Sequence, residues 1–366
     1  MPRTPTGKYQ TNKDALLLGV KDKVLLGMLK YRAQLKTSLG TFMAPWLAMA
    51  EASGGTIHTN WNQTKSAESG GAVGTRTGRL SATWFMNIPK EFTPIFDHEA
   101  PGKKLPKCPI KDLPTLPMVR GYIVPGKGYI LIDRDYSQQE PRILAHFDGG
   151  SLMDTYLANP WVDFHDYAKD ELAKMGKIYE RKQVKTTNLG LIYGMGLGTL
   201  AQKNDMSVED SKELKTAVLT LYPGLKDMYK DMKIRARSGT PIRTWGGREY
   251  YCEAPKLIDG RVREFDYKMV NVLIQGSAAD CTKEAILRFY KAAKKLKKEK
   301  EWFLILNVHD QLTARVPIKD TAQAMEVLRE RMESVEFDVP ILSEGSTSTS
   351  SWADLKDYDK RGKVLK

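Results

Sequence analysis

The stretch 130-ILIDRDYSQQEPRILAHF-147 changes character within a few residues. Ile130, Leu131 and Ile132 read as a buried strand, and helical apolar spacing returns at Ile143, Leu144, Ala145 and Phe147. Between them stand Asp133, Arg134 and Asp135, then a polar run to Glu140. A carboxylate closing a buried strand is costly unless it meets a cation or a metal. The same pattern recurs far along the chain. "EWFLILNV" (301–308) and "QLTARVP" (311–317) read as two strands joined tightly at His309 and Asp310. Each aspartate alone is read as the partner of an arginine or as a helix cap. Asp135 and Asp310 meeting in one sheet would form a hard-oxygen site suited to Mg²⁺. Two such ions activate an attacking hydroxyl and stabilise a leaving phosphate. Ser137 and Glu140 also fit an S-x-x-E capping box, so Glu140 is read either as a cap or as a group aimed into a site.

The bulk numbers narrow the classes. At about 150 residues per domain, 366 residues make two or three domains. The longest near-apolar run, "FMAPWLAMA", is far short of the ~20 residues of a spanning helix. "MPRTPTGKYQ" has no signal-peptide core. Membrane insertion is therefore not expected. Cys108, Cys252 and Cys281 are scattered without a CxxC pair, against a disulfide framework or zinc knuckle and in keeping with a reducing cytoplasm. The net charge of +13 points to a polyanion partner, nucleic acid above all. "KAAKKLKKEK" (291–300) is the densest basic run and reads as a solvated helix end.

Periodicity sketches the organisation. A helix is expected over 13–36, a strand over 55–63, and a Gly- and Ser-rich loop over 65–81. Six prolines in 90–118 predict an irregular insertion. Helices follow over 151–238, a hairpin around Gly246 and Gly247, a long helix over 265–298, an amphipathic helix over 321–335 and a last short strand in "FDVPILSEG". Strands early and late around a helical block predict α+β rather than alternating βαβ.

In "RKQVKTTNLGLIYGMG" (181–196), Arg181, Lys185, Leu189 and Tyr193 recur every four residues and share a helix face. Stacking two cations costs a few tenths of a kcal/mol. A triphosphate along that face turns the repulsion into attraction, gripped by the Arg fork and the Lys point charge. Tyr193 offers a ring for a base. A solvated basic face is the alternative. His165, near a helix start, gains weight only if it faces the same anion.

Taken together, "DYSQQEPRILAH", "RKQVKTTNLGLIYG" and "NVHDQL" resemble motifs A, B and C of the family A, DNA polymerase I-like polymerases. The order and spacing agree, and so do "TGRLSATWFMNIP", "YPGLKDMY", "GTPIRTWGGREYY", "NVLIQGSAAD" and "FDVPILSEG". The resemblance implies a right-hand architecture: a partial thumb over 1–60, palm over 61–147 and 265–366, and helical fingers over 148–264. It implies template-directed addition of dNMP from dNTP to a primer 3′-hydroxyl. Asp135 and Asp310 would hold two Mg²⁺ ions, with Mn²⁺ as a substitute and the Tyr136 carbonyl as a further ligand. Gln138, Glu140, His165, Arg181, Lys185, Leu189 and Tyr193 match dNTP-binding positions. Among these, Lys185 matches the proton donor to pyrophosphate and Glu140 the steric gate against ribonucleotides. Arg79, Asn271, Gln275 and His309 match contacts to primer-template DNA. Two rivals are a single-subunit RNA polymerase or primase-like enzyme and a catalytically silent DNA-binding subunit.

Several residues depart from the family pattern: Leu189 for an aromatic, Gln311 for Glu, Gln139 and Pro141 for apolar residues, Met86 for a polar contact, and Tyr267 for Arg with Lys268 adjacent. Arg134 is read as neutralising Asp133 or reaching phosphate. The length leaves no room for an exonuclease domain or a full thumb, so the chain is read either as a minimal or split polymerase or as a fragment. Weak distributive DNA binding is expected unless a partner chain supplies the missing part, in a cytoplasmic setting in a bacterial or phage-infected cell.

Overall fold

The apolar run at 130–132 does become a strand, and the strand continues through the charges to Tyr136. A computed structural model describes residues 3–4, 6–63, 65, 74–258 and 260–365. The chain divides into two units, Met1–Asn60 with Ala82–Val124 and Ser350–Asp354, and Trp61–Ser81 with Pro125–Thr349 and Leu355–Lys366.

In the first unit, α1 (Lys13–Gly19) and α2 (Lys23–Thr37) replace the single helix expected over 13–36. The break comes from Asp22, whose carboxylate accepts from the N–H groups of Val24 and Leu25 and so starts a new helix. A π-helical segment, Ser38–Met43, leads into α3 (Ala44–Ala52), which the periodicity did not announce. Gly27 lies against Phe96, where a Cβ would come within 2.9 Å of the ring. Trp46 stacks on Phe85 with ring centroids 5.1 Å apart. The proline-rich insertion forms only one short 3₁₀ turn, Asp97–Glu99. Side chains tie it down instead: Glu99 accepts from the Phe96 N–H at 3.0 Å, and the Tyr31 hydroxyl donates to the Pro114 carbonyl at 2.8 Å.

The second unit contains the remaining α-helices and all the strands. In order they are β1 (Tyr129–Tyr136), α4 (Gln139–Asp148), α5 (Ser151–Ala158), α6 (Phe164–Lys174), α7 (Arg181–Ile192), α8 (Leu197–Asn204), α9 (Val208–Leu221) and α10 (Pro223–Ser238). The short strands β2 (Ile242–Arg243), β3 (Glu249–Tyr250), β4 (Lys256–Ile258) and β5 (Arg261–Arg263) precede α11 (Tyr267–Lys295). Then come β6 (Phe303–Val308), β7 (Gln311–Pro317), α12 (Thr321–Glu333), β8 (Ser343–Ser348), β9 (Lys356–Lys360) and β10 (Lys363–Val364). The fold is α+β, as expected.

The main sheet has the order β10-β9-β8-β1-β7-β6, with every pair antiparallel. Strand alternation then decides what faces where. Ile130, Ile132 and Tyr136 join Leu312, Ala314 and Val316 of β7 in a core with Phe289 of α11 and Met325 and Leu328 of α12. Asp133 and Asp135, offset by one residue, therefore occupy the opposite face of the sheet.

Some expectations fail locally. No strand forms over 55–63; only Asn62 finds a partner, as an isolated bridge to Ser81. Of the Gly- and Ser-rich loop, residues 66–73 lie outside the described residues. The last expected strand starts later, at Ser343, which pairs with Tyr136. Pro340, without an N–H, is unsuited to a central ladder. The hairpins β4–β5 and β9–β10 were not foreseen. The basic run near 295 is a solvated helix end, its Lys298 paired with Glu301 and Asp320.

Candidate active site

The register brings the two strand-end aspartates together. Asp135 lies opposite Gln311, and the Tyr136 N–H donates to the Asp310 carbonyl at 3.3 Å. The tight connection between β6 and β7 is His309-Asp310, with His309 held at φ 61°. That left-handed conformation is uncommon for a non-glycine residue. Asp135 is exposed at the strand end. Desolvation pushes the Asp310 carboxyl above its ordinary value, although Arg79 and His309 pull it down. An acid so disfavoured as an anion, beside a second carboxylate, is a donor set that suits a divalent cation. Among the described residues no group of three or more His, Cys, Asp or Glu forms a metal-holding cluster. The candidate donors are thus this carboxylate pair and the neighbouring backbone.

Glu140 resolves its two readings. The α4 N-cap is Gln138, in the left-handed region, and makes no side-chain cap bond. Glu140 instead accepts from Tyr193 at 2.8 Å through one oxygen and pairs with Arg79 through the other. Burial and Glu140 raise the Tyr193 hydroxyl well above its usual value, and the Gln275 side chain reaches the same hydroxyl. Gly194, at φ 65°, packs against Tyr267 so closely that a Cβ would lie 2.6 Å from its ring. Asn271 sits one turn before Gln275 on the partly exposed face of α11. Desolvation and Arg79 lower the His309 pKa.

The basic face of α7 is as the spacing predicts. Arg181, Lys185 and Leu189 lie away from the buried Val184, Asn188 and Leu191. Arg181 is not free: it pairs with Asp163 at 2.9 Å and Asp166 at 2.5 Å. Lys185 is exposed and has no ion pair among the described residues. His165 faces the same group. Burial lowers its pKa to about 4, with Lys185 and Arg181 acting in the same direction. The Asn188 amide lies 3.2 Å from its Nδ1; an amide N–H there leaves the ring proton on Nε2. Gln138 is engaged with the backbone just before His165. Its side chain accepts from the Phe164 N–H at 2.8 Å and donates to the Val162 carbonyl at 3.2 Å, tying the end of β1 to the start of α6.

Two departures in the motifs acquire a physical reason. Asp133 is buried and accepts from Gln311 Nε2 at 2.6 Å and from the Thr313 hydroxyl. A glutamate at 311 has no donor to offer there, so the amide matches the buried Asp133. Arg134 neither neutralises Asp133 nor reaches toward phosphate. It points to the other face, fully buried, and pairs with Asp359 at 2.8 Å while donating to the Ser343 hydroxyl and carbonyl. Alternation along β1 requires this separation.

Sequence reasoning missed the residues that hold the site in place. Arg248 pairs with Asp280 at 2.5 Å and donates to the carbonyls of Thr77 and Gly276 at 2.9 Å each. It thereby fixes the turn that presents Arg79. Gly78 is required there, since its φ is 74° and Arg248 fills the space a Cβ would need. Arg142 is buried and has no carboxylate partner in hydrogen-bond range among the described residues. It donates to the carbonyls of Ser137 at 2.7 Å, Pro340 at 2.8 Å and Pro160 at 2.5 Å, which braces the turn after Asp135. Burial lowers its pKa. Arg248, Asp280 and Arg142 lie inside quoted motifs, but nothing in the spacing distinguishes a brace from a contact.

Comparison with known proteins agrees with this geometry. The DNA polymerase family A model matches residues 1–354. The chain is 29% identical to DNA polymerase I of Caldicellulosiruptor bescii over 93% of its own length and 37% of that protein's. It is 30% identical to DNA polymerase I of Mycobacterium tuberculosis over 93% of the chain and 35% of that protein. The chain thus spans little more than a third of the curated relatives it matches. Among solved structures, the POL domain of Pol1 from M. smegmatis, in complex with DNA primer-template and dNTP, superposes with a TM-score of 0.73 at 27% identity. That match covers 96% of this chain and 58% of the other. The chain belongs to DNA polymerase family A.

Proposed function

We propose that the chain is a template-directed DNA polymerase that adds dNMP from dNTP to a primer 3′-hydroxyl. One observation carries the reading: Asp135 and Asp310 adjoin at one end of the sheet. Residues 61–147 and 265–366 are assigned to the palm, 148–264 to the fingers and 1–60 to part of the thumb.

Asp135, Asp310 and the Tyr136 carbonyl would hold two Mg²⁺ ions, or Mn²⁺ in their place. Bound there, the ions supply hydroxyl activation and charge stabilisation of the leaving group. The protein's own share is positioning and neutralisation, which dominate phosphoryl transfer. Arg181 exchanges Asp163 and Asp166 for triphosphate oxygens, and Lys185 adds a point charge and a proton for the leaving pyrophosphate. His165, uncharged at neutral pH, donates from Nε2. Leu189, between Lys185 and Tyr193, supplies apolar surface toward the nucleotide, and Tyr193 limits the space for the nascent base pair. Glu140, held by Tyr193 and Arg79, crowds the sugar 2′ position, which favours deoxynucleotides over the RNA polymerase reading. Arg79 and Gln275 would probe minor-groove acceptors that occur on every base pair, with Asn271 and His309 beside the primer end. Binding should weaken as salt rises.

Primer extension by the purified chain, with and without Mg²⁺, tests the proposal. Asp135→Ala or Asp310→Ala is expected to abolish extension with Mg²⁺ while primer-template binding persists. Undiminished extension in either variant would falsify the site assignment. Extension with rNTPs as efficient as with dNTPs would favour the RNA polymerase reading.

A further inference from the structure

The family match ends at residue 354, yet two strands follow it in the main sheet. β9 pairs with β8 through Gly345 and Asp359, and β10 pairs with β9 through Lys363 and Lys360. The connection is the two residues Arg361 and Gly362, with φ 51° and 74°. Left-handed φ at both positions gives the tight hairpin turn whose twist matches its strands.

Register places this turn at the active-site end of the sheet. Asp135 lies opposite Glu344, and the next residue of β8, Gly345, lies opposite Asp359. The Glu344 carboxylate accepts from the Arg361 N–H at 3.1 Å. One turn residue thus hangs from the cross-strand neighbour of Asp135. The other, Gly362, faces Trp161, with 3.8 Å between Trp161 Cζ2 and the Cβ position. Trp161 lies four residues before His165. In sheet order the turn lies on the opposite side of β1 from the β6–β7 connection that carries His309.

The turn is basic and solvent-facing. Lys360, Arg361 and Lys363 are exposed, and Arg361 and Lys363 have no ion pair among the described residues. Its base is rigid. Asp359 accepts from Arg134 at 2.8 Å and from the Gly345 N–H at 2.5 Å. A Cβ on Gly345 would come within 2.8 Å of both partners.

We infer that the β9–β10 turn is an added phosphate-binding element of this site, with Arg361 and Lys363 reaching the triphosphate of the incoming nucleotide. The inference rests on reading Asp135 and Asp310 as a nucleotidyl-transfer centre. It commits to the nucleotide rather than the duplex because the turn meets the segment leading to His165 and lies away from His309.

Arg361→Ala/Lys363→Ala and the reversal Arg361→Glu test it. Binding of a dNTP and of inorganic tripolyphosphate is measured by calorimetry in Ca²⁺, alongside the KM for dNTP, the Kd for primer-template and the unfolding midpoint. A loss of about 3- to 10-fold is expected for both phosphate ligands and in KM, larger for the reversal, as befits exposed cations. The DNA Kd should stay within about twofold, because the turn would touch no duplex phosphate. Unchanged phosphate binding overturns the inference, and so does a loss confined to DNA. Arg361-dependent tripolyphosphate binding by a chain that extends no primer keeps the turn and removes the polymerase reading. Normal extension with unaltered KM in the variants does the reverse. Failure of the unaltered chain to bind dNTP or tripolyphosphate removes both.

Discussion

Replacing Asp359 by alanine strands the Arg134 guanidinium inside the sheet. The side chain of Arg134 has 0% exposure and that of Asp359 5%, so water cannot take over the lost contact. Arg134 would keep the Ser343 hydroxyl at 2.9 Å and carbonyl at 2.8 Å, with Glu333 at 3.8 Å. None of these replaces a carboxylate in direct contact. Removing one partner of a buried pair costs about 3–5 kcal/mol. The remaining Ser343 bonds and Glu333 put Asp359→Ala near the lower figure. Arg134→Met leaves Asp359 with the Gly345 N–H and should cost a similar amount. The double change Arg134→Met/Asp359→Leu removes both charges and replaces them with apolar volume, so it should fall close to the parent protein. With about 3 kcal/mol for each single change and a double change near the parent, the cycle yields a coupling of about 6 kcal/mol. Urea unfolding followed by circular dichroism measures it, and amide exchange in β8 and β9 locates the loosening. Asp359→Ala should also raise the KM for dNTP, because the β9–β10 turn loses its anchor. Additive single changes, or an Asp359→Ala cost below about 1 kcal/mol, would refute the argument that this pair replaces solvent for both ions.

Three further outcomes follow from the same structure. Gln311→Glu sets a carboxylate against Asp133 and removes a charge-assisted hydrogen bond; a loss of about 1.5–3 kcal/mol is expected near pH 8, recovering as the pH is lowered and one acid protonates, measured by urea midpoints across pH. For His165, the folded state disfavours the charged ring, with a pKa near 4 against an ordinary 6.5. The unfolded chain therefore takes up a proton first, so this stabilisation is complete above pH 6.5 and is lost as pH falls toward 4. It amounts to about 3 kcal/mol before solvent screening, which should roughly halve it; His165→Asn should flatten that part of the stability–pH curve. Glu140→Ala frees Tyr193 and Arg79, and steady-state incorporation assays should show rNTP use rising relative to dNTP by at least about tenfold, which corresponds to about 1.4 kcal/mol of lost discrimination; an unchanged ratio removes Glu140 as the gate.

What the sequence made legible was whatever has a period or a fixed neighbour. Strand alternation alone puts Asp135 on the face opposite Ile130 and Ile132, and the two-residue gap between β6 and β7 leaves Asp310 beside it. The four-residue recurrence on α7 holds because helix pitch is nearly invariant. Side chains that reach across the chain carry no such signature. Arg248 finds Asp280 over 32 positions and Thr77 over 171, and Arg142 finds Pro340 over 198. The strand expected over 55–63 failed for a related reason: alternation reports a half-buried surface, but a strand needs a partner edge, and only Asn62 has one. Glu140 shows how a local reading loses to a distant one. The capping box asked only for Ser137 and Glu140, whereas Arg79 and Tyr193, 61 and 53 positions away, supplied two direct partners.

Gln311 and Arg134, two of the residues that set this chain apart, each belong to a satisfied set. Asp133 with Gln311 and Thr313 forms one satisfied set, and Arg134 with Asp359, Ser343 and the space left by Gly345 forms another. In each set a buried charge on β1 is matched by a group on a neighbouring strand. A buried charge cannot be accepted without groups that satisfy it, because its cost exceeds what a marginally stable fold can absorb. The first set lies beside Asp135 on the open face, and the second lies behind it on the core face. Together they surround the strand end that carries the aspartate without altering it. The second set also requires β9, because Asp359 is the carboxylate in direct contact with Arg134. The hairpin beyond the family match and the arginine inside motif A are therefore one structural feature, and the hairpin's basic turn is brought to the active-site end by the same register that buries its anchor.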